Sequence, residues 1–235
     1  MQPLTDRQLL DLCGRGRERH SVDRALLLLA AALPEEPAER LADLSIAERD
    51  SALFALRGVT FGQRLTSYVD CAGCGERLEF ELDPAALLGA GTPAPAAGVL
   101  QVGEWRFRIP TSRDLARIAD ATQESEAARR LAALCCIDRA SESELSDEVI
   151  ADLEAAFARA DLSGNIQLSL DCPVCGRSWE EAFDIGEYLW EEVEKSAKRL
   201  LTQVHALASA YGWSEPEILS LGAARRAMYL ELVDA

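Results

Sequence analysis

The clearest hydrophobic pattern of the chain lies near its C-terminus. Apolar residues recur there every three or four positions and form one continuous stripe, which is the spacing of an amphipathic helix. Gly212 interrupts the pattern, and a second glycine at 222 separates two shorter helical stretches after it. The pattern therefore predicts a C-terminal helical segment over residues 185–235. Its stripe consists of Ile185, Leu189, Val193, Ala197, Leu200, Val204, Leu207 and Tyr211.

The first part of the chain is also patterned as helices. Ser45 and Glu48 have the spacing of a capping box, in which each side chain bonds to the backbone of the other residue. The helix that starts there is expected to end at Gly58. Residues 25–33 are almost all apolar, but this run is too short to span a bilayer and indicates a buried helix. Residues 1–58 are therefore predicted to form an N-terminal helical segment.

Alternating polar and apolar residues mark strands in the middle of the chain. Residues 99–102 and 105–109 alternate on either side of a two-residue loop that begins with glycine, which predicts a tight hairpin. Residues 89–95 are rich in Ala, Gly and Pro and predict a flexible connection. Helical spacing returns over about residues 111–160, which we interpret as an insertion.

Two Cys-x-x-Cys-Gly motifs stand inside matching patterns. They are Cys71-Ala-Gly-Cys74-Gly75 and Cys172-Pro-Val-Cys175-Gly176, separated by 101 residues (172 − 71). The same offset aligns residues 64–83 with residues 165–184, and both copies have the pattern strand, cysteine turn, strand. A helix that begins after a serine precedes each copy. The chain therefore contains an internal repeat of helix, strand, knuckle and strand.

Four cysteines in two such turns predict one structural zinc ion held by Cys71, Cys74, Cys172 and Cys175. Four thiolates fill a tetrahedral shell and leave no position for a substrate. A redox-active dithiol and reduced structural cysteines are the alternatives. The first is disfavoured because the residues after Cys74 alternate like a strand, whereas a redox motif opens a helix. The remaining cysteines, Cys13, Cys135 and Cys136, have helical apolar neighbours and are expected to be buried.

These elements together predict an α+β fold. Its centre is a two-knuckle, zinc-ribbon-like β core over residues 59–184, with the inserted helices at about 111–160. The N-terminal segment 1–58 and the C-terminal segment 185–235 add further helices. The two repeat units are expected to pair about a pseudo-twofold axis with the metal at their junction, so that the chain forms one compact unit.

The charge of the chain changes the expected partner. Lys and Arg number 24 against 40 Asp and Glu, which gives a net charge of −16. This balance opposes binding to nucleic acid and to anionic membranes and favours a protein partner. The N-terminus has no basic-then-apolar signal pattern, and cysteine pairs in reducing compartments more often hold metal than form disulfides. We therefore expect the protein in a reducing cytoplasm.

Catalytic motifs are missing from the sequence. There is no His-Glu-x-x-His or Gly-x-Ser-x-Gly pattern, and Gly14-Arg-Gly16 lacks the third glycine and the preceding strand of a dinucleotide-binding loop. The two histidines, His20 and His205, lie far apart in the chain. The sequence therefore predicts a protein that is not an enzyme and has no small-molecule substrate.

Several aromatic and basic residues are candidates for partner binding. On the predicted strand 105–109, Arg106 and Arg108 alternate with Trp105, so one face is basic and the other apolar. Burial of the apolar face is the alternative. Trp190 lies one position off the apolar stripe and widens it, and an exposed indole there could anchor a partner.

The C-terminal helices carry further candidates. Arg225 and Arg226 stand on the second helix of a helix–glycine–helix pattern that superficially resembles a DNA-reading motif. In so acidic a chain, packing or protein docking is the preferred interpretation. Tyr211 and Trp213 flank the glycine that ends the long helix and complete the candidate partner surface.

Four segments together resemble the T-even-type phage baseplate hub assembly chaperone family. They are Arg-Phe-Arg-Ile-Pro-Thr-Ser-Arg-Asp-Leu at 106–115, Asp-Cys-Pro-Val-Cys-Gly at 171–176, the stretch 205–219 and the helix 225–232. Tyr-Gly-Trp-Ser at 211–214 is the most specific part. The resemblance implies a non-enzymatic protein that helps to assemble the baseplate hub of a contractile phage tail or a related contractile injection system, or that forms part of the baseplate.

The zinc prediction rests on the cysteines of this chain and not on the resemblance. Together, the two lines of reasoning predict a zinc protein whose partners are baseplate, hub or spike proteins, and which could be incorporated in a tail-like particle. The alternative is a zinc-ribbon adaptor or regulator with another protein partner. A thiol redox enzyme is the third and weakest class.

Overall fold

The protein has a mixed α+β fold, as predicted. The structure, a computed structural model, describes residues 1–87, 98–138, 140–142, 144–160 and 166–233. Over these residues helices predominate, and three sheets of two antiparallel strands each are formed. The predicted flexible connection at 89–95 lies outside the described residues. No helix in the described part of the chain is long and apolar enough to cross a membrane.

The N-terminal segment is helical. A capping box formed by Ser45 and Glu48 starts the fourth helix, as predicted. The predicted end at Gly58 is wrong, because the helix continues for three more residues and stops before Gly62. Gly62 has a φ of 98°, which only glycine adopts at little cost, and its amide donates to the Gly58 carbonyl at 3.1 Å. The helices are α1 (Asp6–Gly16), α2 (Ser21–Ala32), α3 (Ala38–Ala42) and α4 (Ile46–Phe61).

Strands and short helices alternate in the middle of the chain. The predicted hairpin around Gly103 is confirmed, and its strands pair Leu100 with Phe107 and Val102 with Trp105. The first knuckle consists of β1 (Leu65–Asp70) and β2 (Arg77–Leu82), followed by α5 (Pro84–Leu87), and the hairpin consists of β3 (Leu100–Val102) and β4 (Trp105–Phe107). The predicted helical insertion contains α6 (Ser112–Ile118), α7 (Glu124–Cys135) and α8 (Asp147–Ala160).

The second knuckle leads into the long C-terminal helix that the hydrophobic stripe predicted. Asp184 caps this helix by accepting from the amides of Gly186 at 2.7 Å and Glu187 at 3.1 Å. At ~1.5 Å per residue the helix is about 40 Å long, and Gly212 ends it in the left-handed region. The elements are β5 (Ile166–Asp171), β6 (Ser178–Phe183), α9 (Ile185–Tyr211), α10 (Glu215–Ser220) and α11 (Ala223–Val233).

The largest apolar core, here called the first cluster, is built on the N-terminal half of α9. Helices α1, α2 and α4 pack on α9, and the bases of both knuckle hairpins reach the same core. Its buried members include Leu28, Leu29, Leu53, Leu56, Leu65, Ile166, Leu189 and Val193. Since Leu65 and Ile166 begin β1 and β5, the first cluster fixes where both hairpins start.

A buried ion pair joins α4 to α9 inside this region. The Arg57 guanidinium donates to both carboxylate oxygens of Glu192, at 2.8 and 2.9 Å, and to the Gly62 carbonyl at 2.7 Å. The bond to Gly62 meets the chain where α4 has just ended. The hydrogen bonds that Arg57 donates to the Glu192 carboxylate raise the pKa of Arg57 despite the opposing effect of burial. This arginine therefore fixes both the packing of α4 and its C-terminal end.

A separate core, here called the second cluster, is formed by the β3–β4 hairpin with α7 and α8. Its buried members include Val102, Phe107, Ala132, Cys135, Leu145 and Leu153. An isolated bridge between Ser45 and Thr111 connects this part of the chain to the start of α4. Helices α7 and α8 therefore pack together with the hairpin that precedes them.

Candidate metal centre

The two knuckle hairpins have the same register at an offset of 101 residues. Leu65 pairs with Leu82 in the first hairpin, and Ile166 pairs with Phe183 in the second. The pairs that precede the cysteine turns are Asp70 with Arg77 and Asp171 with Ser178. In both, the aspartate accepts a side-chain hydrogen bond from its partner, at 3.0 Å and 2.6 Å. The two hairpins therefore have equivalent strand pairing at this offset.

The helices that precede the hairpins do not repeat in the same way. Ser45 and Ser146 stand 101 residues apart before α4 and α8, and each hydroxyl accepts an amide of the first turn. However, α4 contributes Leu53 and Phe54 to the first cluster, whereas α8 contributes Ile150 and Leu153 to the second. Offset by 101, Ile150 and Leu153 correspond to Arg49 and Ala52 of α4, so the two helices supply apolar residues from different positions, although Arg49 is also buried.

Each cysteine turn is closed by two backbone hydrogen bonds. In the first knuckle the Cys71 amide donates to the Glu76 carbonyl, and the Gly75 amide donates to the Cys71 carbonyl, both at 2.8 Å. The second knuckle has the same bonds at 2.8 and 2.9 Å, centred on Cys172. The glycine after each second cysteine has a φ of 75° or 72°, which explains the predicted requirement for glycine there.

The turns bring four sulfur atoms together. The Sγ atoms of Cys71, Cys74, Cys172 and Cys175 all lie within 4.8 Å of one another. The Cys71–Cys175 distance is 3.7 Å and the Cys74–Cys172 distance is 3.6 Å. A tetrahedron with metal–sulfur bonds of ~2.3 Å has edges of ~3.8 Å, whereas a disulfide bond is only ~2.05 Å long. The spacing therefore fits four ligands of one tetrahedral metal ion.

Burial divides the four cysteines into two equivalent pairs. Cys71 and Cys172, the first of each motif, are each 2% exposed, while Cys74 and Cys175 are exposed. The offset of 101 relates the members of each pair. The contact from Cys71 to Cys175 is related in the same way to the contact from Cys172 to Cys74. This equivalence agrees with a local pseudo-twofold arrangement of the two turns.

The pKa values of Cys71 and Cys74 are shifted in opposite directions. The Gly73 amide donates to Cys71 Sγ at 3.4 Å and lowers the pKa of this thiol to about 7. The Glu76 amide lowers the pKa of Cys74, but desolvation and the neighbouring thiols outweigh it and raise the value to about 12. Cys71 therefore ionises more readily than Cys74, whose negative charge would stand close to other sulfur atoms. A bound cation would remove this obstacle.

The centre lies at the far end of the hairpins from the first cluster. Leu65 and Ile166 are buried at the strand starts, and each six-residue strand spans ~20 Å at ~3.4 Å per residue. Tyr188 on α9 holds the base of the first hairpin by donating to the Thr66 carbonyl at 2.6 Å. A metal at the tips would join two hairpins that the protein otherwise anchors at their bases.

Acidic side chains flank the hairpins, as the sequence indicated. Exposed glutamates lie on β2, on β6 and in the first cysteine turn. They are Glu76, Glu79, Glu81, Glu180 and Glu181. Arg77 lies 4.5 Å over the exposed Tyr68 ring and also pairs with Asp70, so part of its charge is already neutralised. The surface near the four cysteines is therefore negative.

The basic residues of strand β4 are paired within the protein. Arg106 forms a salt bridge with Asp138 at 2.5 Å, and Arg108 forms one with Asp114 at 2.6 Å. Trp105 on the opposite face is half-buried against the second cluster, beside the fully buried Phe107. The apolar face is thus used for packing. A role for Arg106 and Arg108 in partner binding stays a prediction. A partner would have to contact these arginines in addition to Asp138 and Asp114, or replace those aspartates.

The Arg108–Asp114 pair leads to a prediction about acid stability. Burial raises the pKa of Asp114, but the Arg108 guanidinium and the bonds from Thr111 outweigh it and lower the pKa. We expect Asp114→Asn to lower the free energy of unfolding by ~2 kcal/mol at neutral pH. A carboxylate with a lowered pKa stabilises above its unfolded value of ~3.9, and this stabilisation disappears as the pH falls through the folded value.

Urea unfolding of Asp114→Asn and the parent protein between pH 7 and pH 3 would measure this effect. Asp120→Asn is the matched control, because Asp120 also pairs with an arginine but is mostly exposed. We expect it to change stability by less than ~1 kcal/mol. A difference between Asp114→Asn and the parent that stays constant down to pH 3 would contradict the assigned role of the carboxylate.

The prediction that Trp190 anchors a partner is wrong, because Trp190 is 1% exposed. Its ring packs on Gly16 of α1, where an added Cβ would lie 2.2 Å from Trp190 Cη2. The indole N–H donates to Glu194 at 2.8 Å, and the Arg24 guanidinium lies 5.1 Å from the ring centre. Trp190 is thus covered by α1, the first helix of the chain.

The predicted C-terminal surface separates into an outer and an inner part. Tyr211 and Trp213 stack with ring centres 4.7 Å apart, and Tyr229 of α11 meets the Trp213 ring edge-on at 4.9 Å. Arg225 lies over Tyr229 at 5.9 Å and is exposed. Sequence reasoning missed Tyr229, although its position four residues after Arg225 places both on one helix face.

Arg226, the other predicted contact on α11, faces the interior. It is 3% exposed, pairs with Asp6 of α1, and donates to the Leu221 carbonyl at 2.7 Å. The prediction that Arg226 binds a partner is therefore wrong. Its neighbour Arg225 points outward, and this difference follows from helix geometry, since adjacent residues are ~100° apart around the axis.

The other cysteines stand outside the sulfur group. Cys135 and Cys136 are buried, as predicted, and burial raises the pKa of the Cys135 thiol to about 12. Cys13 is only partly buried, so the prediction for this residue holds in part. In the described ranges, no other group of three or more Cys, His, Asp or Glu side chains has ligand atoms close enough to hold a metal.

No protein-family model, no curated protein and no solved structure matches this chain.

Proposed function

We propose that this protein is a non-enzymatic zinc protein that acts in the assembly or structure of the baseplate hub of a contractile phage tail-like particle. The observation that carries the metal part is the group of four Sγ atoms within 4.8 Å of one another. Zinc is the preferred ion because it favours tetrahedral thiolate sites. On this proposal the two hairpins form a zinc-ribbon-like unit, and Cys71, Cys74, Cys172 and Cys175 each supply one thiolate.

The proposed role of the zinc is structural. Four protein ligands complete the shell, so neither water nor substrate has a coordination position. The ion would fix the tips of two hairpins whose bases are held by the first cluster. Two-stranded hairpins are marginally stable alone, so a tie at the tips has a large effect on their order.

The baseplate part of the proposal is supported by the resemblance of residues 106–115 and of the stretch from 205 onward. The most specific piece, Tyr211 to Ser214, contributes to the partly exposed aromatic group with Tyr229 and Arg225. Aromatic side chains and arginine are the residue types that most often dominate protein interfaces. We therefore assign hub or spike proteins to this surface, in the cytoplasm of a producing bacterium.

The metal part predicts one zinc ion per chain. Elemental analysis of protein purified without added metal would measure it, and a strong chelator should remove the zinc and increase amide hydrogen exchange in β1, β2, β5 and β6. The helices of the first cluster provide the internal control, since they are held by apolar packing. Purified, fully reduced protein that neither contains nor takes up a tetrahedral metal ion would contradict the proposal.

The partner part predicts that baseplate, hub or spike proteins copurify with the tagged chain from a cell producing contractile particles. Trp213→Ala should reduce that capture without removing zinc, because Trp213 lies in the aromatic group and away from the cysteines in sequence. Trp179→Ala is the matched control with another partly exposed tryptophan. Capture of tail proteins that is independent of Trp213 would refute the assigned surface. Capture of unrelated proteins alone would favour the adaptor function.

A further inference from the structure

The two recorded sulfur–sulfur contacts both cross from one knuckle to the other. Cys71 Sγ lies 3.7 Å from Cys175 Sγ, and Cys74 Sγ lies 3.6 Å from Cys172 Sγ. Each contact joins one buried cysteine to one exposed cysteine. Each of these contacts thus joins one member of the first Cys-x-x-Cys motif to one member of the second.

The first and the second cysteine of each motif differ in their exposure to solvent. Cys74 and Cys175 are open to a small oxidant, whereas Cys71 and Cys172 are shielded. Oxidation of a cysteine produces a sulfenic acid, which condenses with a nearby thiol. For each exposed cysteine, a buried thiol of the opposite knuckle stands within 3.7 Å.

We propose that hydrogen peroxide converts this centre into two crossed disulfides, Cys71–Cys175 and Cys74–Cys172, and releases the metal. The proposal rests on the proposed zinc site and adds a redox response to it. The exposed Cys74 sulfur attacks peroxide, the O–O bond breaks, and sulfenic acid and water form. The Cys172 sulfur then displaces the sulfenic oxygen as a second water. Cys175 and Cys71 react in the same way.

The overall reaction is balanced without another reactant. Two molecules of peroxide and four protons convert the zinc tetrathiolate, of charge −2, into two disulfides, four waters and a free zinc ion. Peroxide is reduced and sulfur is oxidised, with two electrons for each disulfide. Forming either bond shortens the sulfur–sulfur distance from 3.7 or 3.6 Å to ~2.05 Å. Both sulfur atoms can move toward each other, so each covers only part of this displacement.

The hydrogen bonds of both turns are compatible with crossed disulfides. Each turn is fixed by bonds such as Cys71 amide to Glu76 carbonyl and Gly75 amide to Cys71 carbonyl. In the first turn the Gly73 amide also donates to Cys71 Sγ. Crossed bonds would keep both turns and retain the link between the hairpin tips. The oxidised protein would thus stay joined without metal, unlike the chelated protein.

Peptide mapping of the zinc-loaded full chain after treatment with peroxide tests this inference. Trypsin places Cys71 and Cys74 in residues 65–77 and the other two cysteines in residues 160–177. We expect these two peptides to be linked, together with the loss of bound zinc. Separate peptides, each with an internal disulfide, would overturn the crossed arrangement, as would unchanged thiols and retained zinc.

Three double-serine variants, fully reduced and metal-free, resolve which sulfurs pair. C71S/C175S leaves the predicted pair Cys74–Cys172, C71S/C172S leaves the two exposed cysteines, and C172S/C175S leaves one motif. We expect the first to form an intramolecular disulfide fastest, and equal or faster closure in either of the others would refute the proposal. Zinc content before oxidation separates the failures, because a protein without zinc opposes the proposed function whereas wrong disulfides oppose only this inference.

Discussion

Serine at Cys71 or at Cys172 should abolish stoichiometric zinc binding, and the two changes should destabilise the protein by about the same amount. Both sulfurs are buried, and they are equivalent positions of the two turns. Either replacement leaves three thiolates, which opens the tetrahedral shell. The metal would link Cys71 to Cys175 across 104 residues, and closing a loop of that length is worth ~4–5 kcal/mol in a chain-entropy estimate.

Elemental analysis and thermal melts of the two variants would test this expectation. Cys13→Ser is the matched control, because Cys13 is a partly buried cysteine outside the sulfur group. It should keep its zinc and melt near the parent temperature. If only one of Cys71→Ser and Cys172→Ser loses zinc or stability, the shared site is wrong. Equal effects of all three serine variants would point to general thiol loss instead.

Trp190→Ala should lower the free energy of unfolding by ~3–5 kcal/mol, the usual cost of removing a large aromatic side chain from a core. The indole is 1% exposed, contacts Gly16 and hydrogen-bonds Glu194. Denaturant unfolding would measure the change. Trp213→Ala is the control, since its ring belongs to a partly exposed aromatic group, and it should cost less than ~1.5 kcal/mol.

A double-mutant cycle tests whether Trp190 contacts Gly16. Gly16→Ala places a Cβ 2.2 Å from Trp190 Cη2, so we expect this variant to be strongly destabilised. Trp190→Phe removes the clashing atom. The double variant Gly16→Ala with Trp190→Phe should therefore be more stable than the sum of the single effects implies. If the changes in unfolding free energy of the two single variants simply add in the double variant, α1 does not contact the Trp190 ring.

Local patterns predicted the elements of this fold that depend on neighbours in sequence. The stripe predicted α9, the Ser45–Glu48 capping box predicted the start of α4, and the Gly103 loop predicted the β3–β4 hairpin. The paired cysteine motifs predicted the four-sulfur group, because their spacing and turn chemistry leave few other arrangements.

The failures concern contacts between distant parts of the chain. Nothing next to Trp190 shows that Gly16 would cover it, and nothing next to Arg226 shows that Asp6 would pair with it. The repeat suggested equivalent helices, but α4 packs in the first cluster and α8 in the second. Periodicity reports which residues can share a face, while tertiary packing decides which face is covered.

A tie between Cys71 and Cys175 has a mechanical consequence. The second cluster lies between these residues in sequence, so a metal or disulfide link would place it inside a closed ring of chain. Tension applied to the two termini would travel through the first cluster and the sulfur centre and bypass the ring. Along the chain, such tension would reach the β3–β4 hairpin and its helices only after that link ruptured.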